Sequence, residues 1–170
     1  VLCDVSDSVR TASLFMLEFV HAAQELFAGT RSFVFVSDLG ETTALFAGQP
    51  VGVALARVYG GGVVDTAHNS NYGRVLRGFE ATIGRSIDRR TTVVILGDGR
   101  TNYLGDEAEV VRRLRDRSRA LLWICPEAPG TWGSGDSAML RYAAASTKVL
   151  VARNARELEV AAREVASRRR

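Results

Sequence analysis

The sequence predicts an α/β domain built on a doubly wound, mostly parallel sheet, with helices on both faces and one short antiparallel edge strand. Three observations predict it. Apolar runs closed by turn residues alternate along the chain with segments that carry apolar residues at helical spacing, which is the pattern of parallel strands joined by helical crossovers. Thr91 to Leu96 (TTVVIL) reads as a continuous apolar strand of the kind buried on both faces of a parallel sheet. With 170 residues, 46% of them apolar, the chain has the length of a single domain, residues 1–170, and the means to bury a full core.

In order along the chain, Val1-Leu2-Cys3-Asp4 is the first strand. It is short against the typical 5–6 residues, so the reading places the start of that strand upstream and takes the chain as the C-terminal part of a longer protein. A helix runs from about Val9 to Phe27, with Val9, Ala12, Met16, Phe19, Ala23 and Leu26 recurring at helical spacing and Gly29 as its stop. Arg31 to Ser37 is a strand rich in Val and Phe, Asp38 to Glu41 turns the chain, and Thr42 to Phe46 is expected to return as the short antiparallel strand of a hairpin. Pro50 opens a helix to about Tyr59, where its missing N–H costs little, and Gly60-Gly61-Gly62 ends it. A loop from Val63 to Ser70 leads to a helix over 71–84, then the strand Thr91 to Leu96 closed by Gly97-Asp98-Gly99. A helix from Asp106 to Arg117, the strand Ala120 to Cys125, a Pro/Gly-rich loop through Asp136, a short helix near Ala138 to Ala144, the strand Lys148 to Ala152 and a helix from Ala155 to Ser167 complete it.

Composition narrows the function classes. The chain has no run approaching the roughly 18 apolar residues of a membrane span and does not open like a signal peptide. Cys3 and Cys125 each sit in an apolar strand, where cysteine behaves as a small hydrophobe, and two cysteines are no disulfide framework; a reducing, cytoplasmic setting follows. The net charge is only +3, with Lys148 the single lysine. Arg112, Arg113, Arg115, Arg117 and Arg119 follow Asp106, Glu107 and Glu109, the order that a helix macrodipole favours, and no aromatics interleave them as nucleic-acid binding would ask.

In a doubly wound sheet ligands bind beyond the carboxyl ends of the strands, where the strand order reverses between the first and fourth strands. Asp4 ends the first strand and Asp98 the fourth, so two carboxylates face one another across that crevice. A bare pair would shift its protonation or recruit a cation. Ser6 and Ser8 leave the same strand end as Asp4, and oxygen-rich sites suit hard divalent cations such as Mg²⁺. The competing reading is that one of these serines caps the following helix.

The spacing Asp4-x-Ser6-x-Ser8 resembles the metal-ion-dependent adhesion site of von Willebrand factor type A (VWA) domains. Together with FVFVSDLGE, NSNYGRVL, TTVVILGDGRTNY and LLWICPEAPGTWGSGDS, it is similar to the bacterial CoxE-like branch of that group. The resemblance implies a Mg²⁺ or Mn²⁺ site made by Asp4, Ser6, Ser8, Ser70 and Asp98, with Ser70 standing where the family usually has threonine. The Ser70 loop also offers Asp65, Thr66 and Asn69, and Asp7 stands where a small residue is common. By the same resemblance, the domain is a metal-dependent protein-interaction module and an intracellular partner of a MoxR-type AAA+ ATPase, in a setting of metalloenzyme assembly or maturation.

Such a module captures an acidic side chain of its partner, with rim loops supplying identity. Trp132, among glycines in the loop 126–136, is either a rim contact or folded over the sheet, and Trp123 belongs to the core. The rival function is a Mg²⁺-dependent hydrolase or phosphoryl-transfer domain using Asp4 and Asp98. Against it, the chain has no phosphate loop, no dinucleotide fingerprint and no nucleophile beside a base. An extracellular adhesion domain shares the metal motif but fits poorly with unpaired, buried cysteines. His21 reads as structural, and His68 lacks a second ligand at metal spacing.

Overall fold

The first strand, β1 (Leu2–Asp4), lies at the centre of a six-stranded sheet in the computed structural model, which describes residues 1–167. Its neighbours are β2 (Phe33–Phe35) and β4 (Thr92–Leu96), both parallel to it, with Cys3 beside Val34 on one side and Leu96 on the other. β5 (Ala120–Cys125) and β6 (Lys148–Val151) continue the parallel sheet beyond β4, and β3 (Leu39–Glu41) closes the other edge antiparallel to β2. The order β3-β2-β1-β4-β5-β6 places the reversal between β1 and β4.

Alternation along the strands divides the core in two. Cys3, Val34, Val94, Leu96, Leu122 and Ile124 point to one face. There they meet α1 (Arg10–Leu26), α3 (Val51–Tyr59) and α7 (Ala155–Ser167) through residues such as Met16, Val20, Val58 and Leu158. Leu2, Phe35, Val93, Ile95, Leu121 and Trp123 point to the other face, covered by α4 (Tyr72–Ile83), α5 (Ala108–Arg117) and α6 (Met139–Ala145). Asp4, two residues beyond Leu2, therefore faces the α4 side.

One expected element is corrected. Thr42 to Phe46 is not the returning strand; the hairpin partner of β2 is β3, and Thr43–Ala47 is a short helix, α2. The chain turns earlier than the pattern suggests, with the Val36 N–H donating to the Asp38 carbonyl at 3.3 Å. Gly40 permits the β3 position, since a Cβ there would meet Val63 Cγ1 at 2.6 Å. Thr42 N–H to Ser32 O is the last rung of the hairpin, and Phe46 N–H to Thr42 O starts the helix that buries Phe46.

Candidate metal centre

Both aspartates are fixed by the loops they open. The Asp4 Oδ1 atom accepts the Ser6 N–H at 2.8 Å, and the Asp98 Oδ1 atom accepts the Arg100 N–H at 2.9 Å. Each is an Asx turn closing two residues on, and each aims its carboxylate back at the crevice between β1 and β4. Asp4 is 0% and Asp98 1% exposed. Burial, and for Asp4 next the charge of Asp98, pushes the Asp4 carboxyl up to about 7; burial also raises Asp98, opposed by the Arg100 N–H and the Ser8 hydroxyl beside it. The pair is held close at a cost that a cation would relieve.

The serines are not helix caps. The turn Asp7–Val9 and α1 both start without a side-chain cap. The Ser6 and Ser8 hydroxyls instead lie 3.2 Å from each other beside the carboxylates. Ser6 is buried, whereas Ser8 and Asp7 are open to solvent, Asp7 pairing with Arg10 at 3.2 Å. Ser70 is buried and joins the group through the turn after Asp98: its hydroxyl donates to the Arg100 carbonyl at 3.2 Å, and the Asn102 amide donates to its Oγ at 3.1 Å and its carbonyl at 2.8 Å. Of the other oxygens of that loop, Asp65 turns elsewhere, accepting the Ala67 N–H and pairing with His68 at 3.1 Å. His21 reaches the Gln49 carbonyl at 3.4 Å and stands edge-on to Phe46.

Two residues beyond the expected set hold the site. Tyr72, at the start of α4, donates to Asp4 Oδ2 at 2.6 Å and accepts the Gly99 N–H at 3.2 Å. Arg100 makes a two-point pair with Glu127 at 2.8 and 3.0 Å and reaches Asp136 at 3.0 Å, tying the loop 126–137 to the Asp98 turn. Asp136 also accepts the Asn102 N–H at 2.9 Å; Asn102 (φ 52) and the following Tyr103 (φ 60) both have left-handed backbone, which asparagine tolerates and a bulky residue rarely adopts. Tyr103 stands 83% exposed beside the site. Trp132 is folded down against the core, its indole N–H donating to the Glu127 carbonyl at 3.3 Å, and Trp123 is fully buried with its N–H on the Gly97 carbonyl at 2.9 Å.

The donor set fits a hard cation that keeps part of its water shell: two carboxylates with neutral hydroxyls around them. Among the described residues no three His, Cys, Asp or Glu side chains gather as a metal-holding cluster. A cavity of about 730 Å³ lies at the opposite end of the sheet among Phe19, Phe27, Phe33, Phe79 and Thr92 and shares no residue with this site. No helix among the described residues is long and apolar enough to cross a membrane.

The family described as VWA domain containing CoxE-like protein matches residues 1–161. Proximal thread matrix protein 1 from the mussel byssus is similar in fold, with a TM-score of 0.65 at 14% identity; the match covers 96% of this chain and 43% of that one, so the chain spans less than half of that protein. BatB from Bacteroides thetaiotaomicron superposes with a TM-score of 0.56 at 10% identity, over 98% of this chain and 96% of its own. No curated protein matches the sequence.

Proposed function

The chain belongs to the VWA domain containing CoxE-like family, and from that premise we propose that it is a metal-dependent protein-interaction module rather than an enzyme. The observation that carries the reading is the pair of buried carboxylates, Asp4 and Asp98, beside serine hydroxyls that cap no helix. Asp4, Ser6, Ser8, Ser70 and Asp98 would hold Mg²⁺ or Mn²⁺. When bound, such an ion supplies positive charge and an exchangeable position suited to a carboxylate. The partner is a protein that presents an acidic side chain, and the family resemblance points to a MoxR-type AAA+ ATPase, in the assembly or maturation of a metalloenzyme.

The chain's own residues shape the rest of the encounter. Arg100 neutralises Glu127 and Asp136 at the rim, which lowers the repulsion an approaching acid would meet, and the exposed Tyr103 offers the kind of rigid aromatic contact that interfaces favour. The test is capture of a MoxR-type AAA+ ATPase from the same genome by the immobilised domain, read by biosensor. Capture in Mg²⁺, with loss in EDTA and in Asp98→Ala, supports the reading; undiminished capture in EDTA refutes the metal bridge. Turnover of ATP or a phosphatase substrate by the purified domain, abolished in Asp98→Ala, would favour the hydrolase instead.

A further inference from the structure

The loop 101–107, which joins β4 to α5, holds an aromatic side chain in water at a cost to its backbone. Tyr103 is 83% exposed, so its ring buries little on folding. Its φ of 60 is left-handed, a conformation that a bulky residue rarely adopts. Both neighbours are tethered: the Asn102 side-chain amide donates to Ser70, the Asn102 N–H to Asp136, and the Leu104 N–H to the Thr101 carbonyl at 3.0 Å. A glycine at 103 would make the same turn without strain. Folding therefore does not account for the phenol ring, and an exposed backbone outlier beside a site points to function.

The ring belongs to a larger apolar strip. Its hydroxyl lies 4.0 Å from where a Cβ on Gly135 would stand, and Leu140, 58% exposed on α6, has Cδ1 2.6 Å from where a Cβ on Gly133 would stand. Between the two glycines Ser134 turns its hydroxyl back to the Thr131 carbonyl at 2.7 Å. A low glycine saddle thus separates two exposed apolar groups. The charges beneath it are taken up internally, Arg100 pairing with both Glu127 and Asp136. At its inner end the strip is continuous with the metal centre, since Asn102 holds Ser70 and Arg100 holds Asp98. We infer that Tyr103 and Leu140 form a docking strip that selects the partner: the acidic residue that meets the ion is flanked in its own sequence by bulky apolar side chains, which lie across the saddle. Apolar and aromatic anchors of this kind carry much of the energy of an interface, whereas a charged flank would find its counter-charges already paired. The inference rests on the metal reading above.

Two acetylated and amidated peptides, Phe-Leu-Glu-Leu-Phe and Ala-Ala-Glu-Ala-Ala, titrated into the ¹⁵N-labelled domain in Mg²⁺ test it. The apolar peptide should bind wild type about tenfold more tightly than the alanine peptide. Tyr103→Gly and Leu140→Ser should each narrow that preference to about threefold or less. Tyr103→Gly should also melt no lower than wild type, because glycine suits the left-handed backbone; a side chain kept only for the fold would show the reverse. Asp98→Ala and EDTA should abolish binding of both peptides. Equal affinity of wild type for the two peptides, or a preference that survives both substitutions, overturns the inference alone. Binding that persists undiminished in EDTA, or no binding of either peptide in Mg²⁺, overturns the metal reading and the inference with it.

Discussion

Replacing Asp4 with asparagine keeps the shape of the side chain and removes one of two buried charges, so in EDTA it isolates the electrostatic cost of the paired carboxylates. The folded protein holds the Asp4 proton up to about pH 7, whereas an unfolded chain releases it near pH 4. Between those values the folded state binds more protons than the unfolded one, so metal-free stability falls as pH rises. At about 1.4 kcal/mol per pH unit, the window is worth at most about 4 kcal/mol. Asparagine escapes this penalty, but its amide nitrogen leaves the Tyr72 proton without its acceptor, at a cost of about 1–3 kcal/mol. At pH 8 in EDTA the variant should therefore be the more stable protein by about 1–3 kcal/mol, or roughly 5 °C in Tm at about 2–4 °C per kcal/mol. At pH 4, with Asp4 protonated, it should be the less stable. Urea and thermal melts at pH 4, 6 and 8 in EDTA read this directly. A wild type that holds its stability up to pH 8, or a variant that loses stability in parallel with it, refutes the reasoning.

Three further outcomes follow from the same geometry. Adding Mg²⁺ at pH 7.5 should raise the Tm of wild type but leave Asp98→Ala unmoved, while in EDTA the variant, freed of one buried charge, should melt no lower than wild type. Gly97→Ala should cost about 1–3 kcal/mol in urea unfolding through the clash with Tyr72 and Asp4, a overpacking cost. Trp123→Ala should cost about 3–5 kcal/mol with and without Mg²⁺, since the indole is fully buried and stacks on Tyr142 at 4.4 Å; a difference between the two conditions would show that it acts on the metal site and not only on the core.

Much of the fold was legible because the strands are strongly apolar and the helices strongly periodic. The same alternation places Asp4 and Asp98 at facing strand ends, so the pairing of two distant carboxylates needs only the strand order. Thr42 to Phe46 was misread because its β-branched start and apolar end suit either element; the turn at Asp38 and the approach of Val63 to Gly40 decide, and neither is local. Whether Ser6 and Ser8 cap the helix could not be read from spacing, since the cap depends on where the hydroxyls point. Tyr72 was read only as part of a helix start. Its role depends on a stack with Trp123 and on room left by Gly97, contacts between segments far apart in sequence. Arg100 carries a fainter sign, a charged residue two positions after a turn aspartate, but its partners Glu127 and Asp136 come from another loop.

The central claim is that a divalent ion sits between Asp4 and Asp98, and paramagnetic broadening by Mn²⁺ tests it most directly. Sub-stoichiometric Mn²⁺ added to the ¹⁵N-labelled domain should first erase the amide signals of Ser6, Ser8, Ser70, Gly99 and Arg100, while those of Arg31 and Thr92 at the opposite end of the sheet persist. An excess of Mg²⁺ should restore the lost signals. Broadening centred away from Asp4 and Asp98, or no selective broadening at all, would contradict the account.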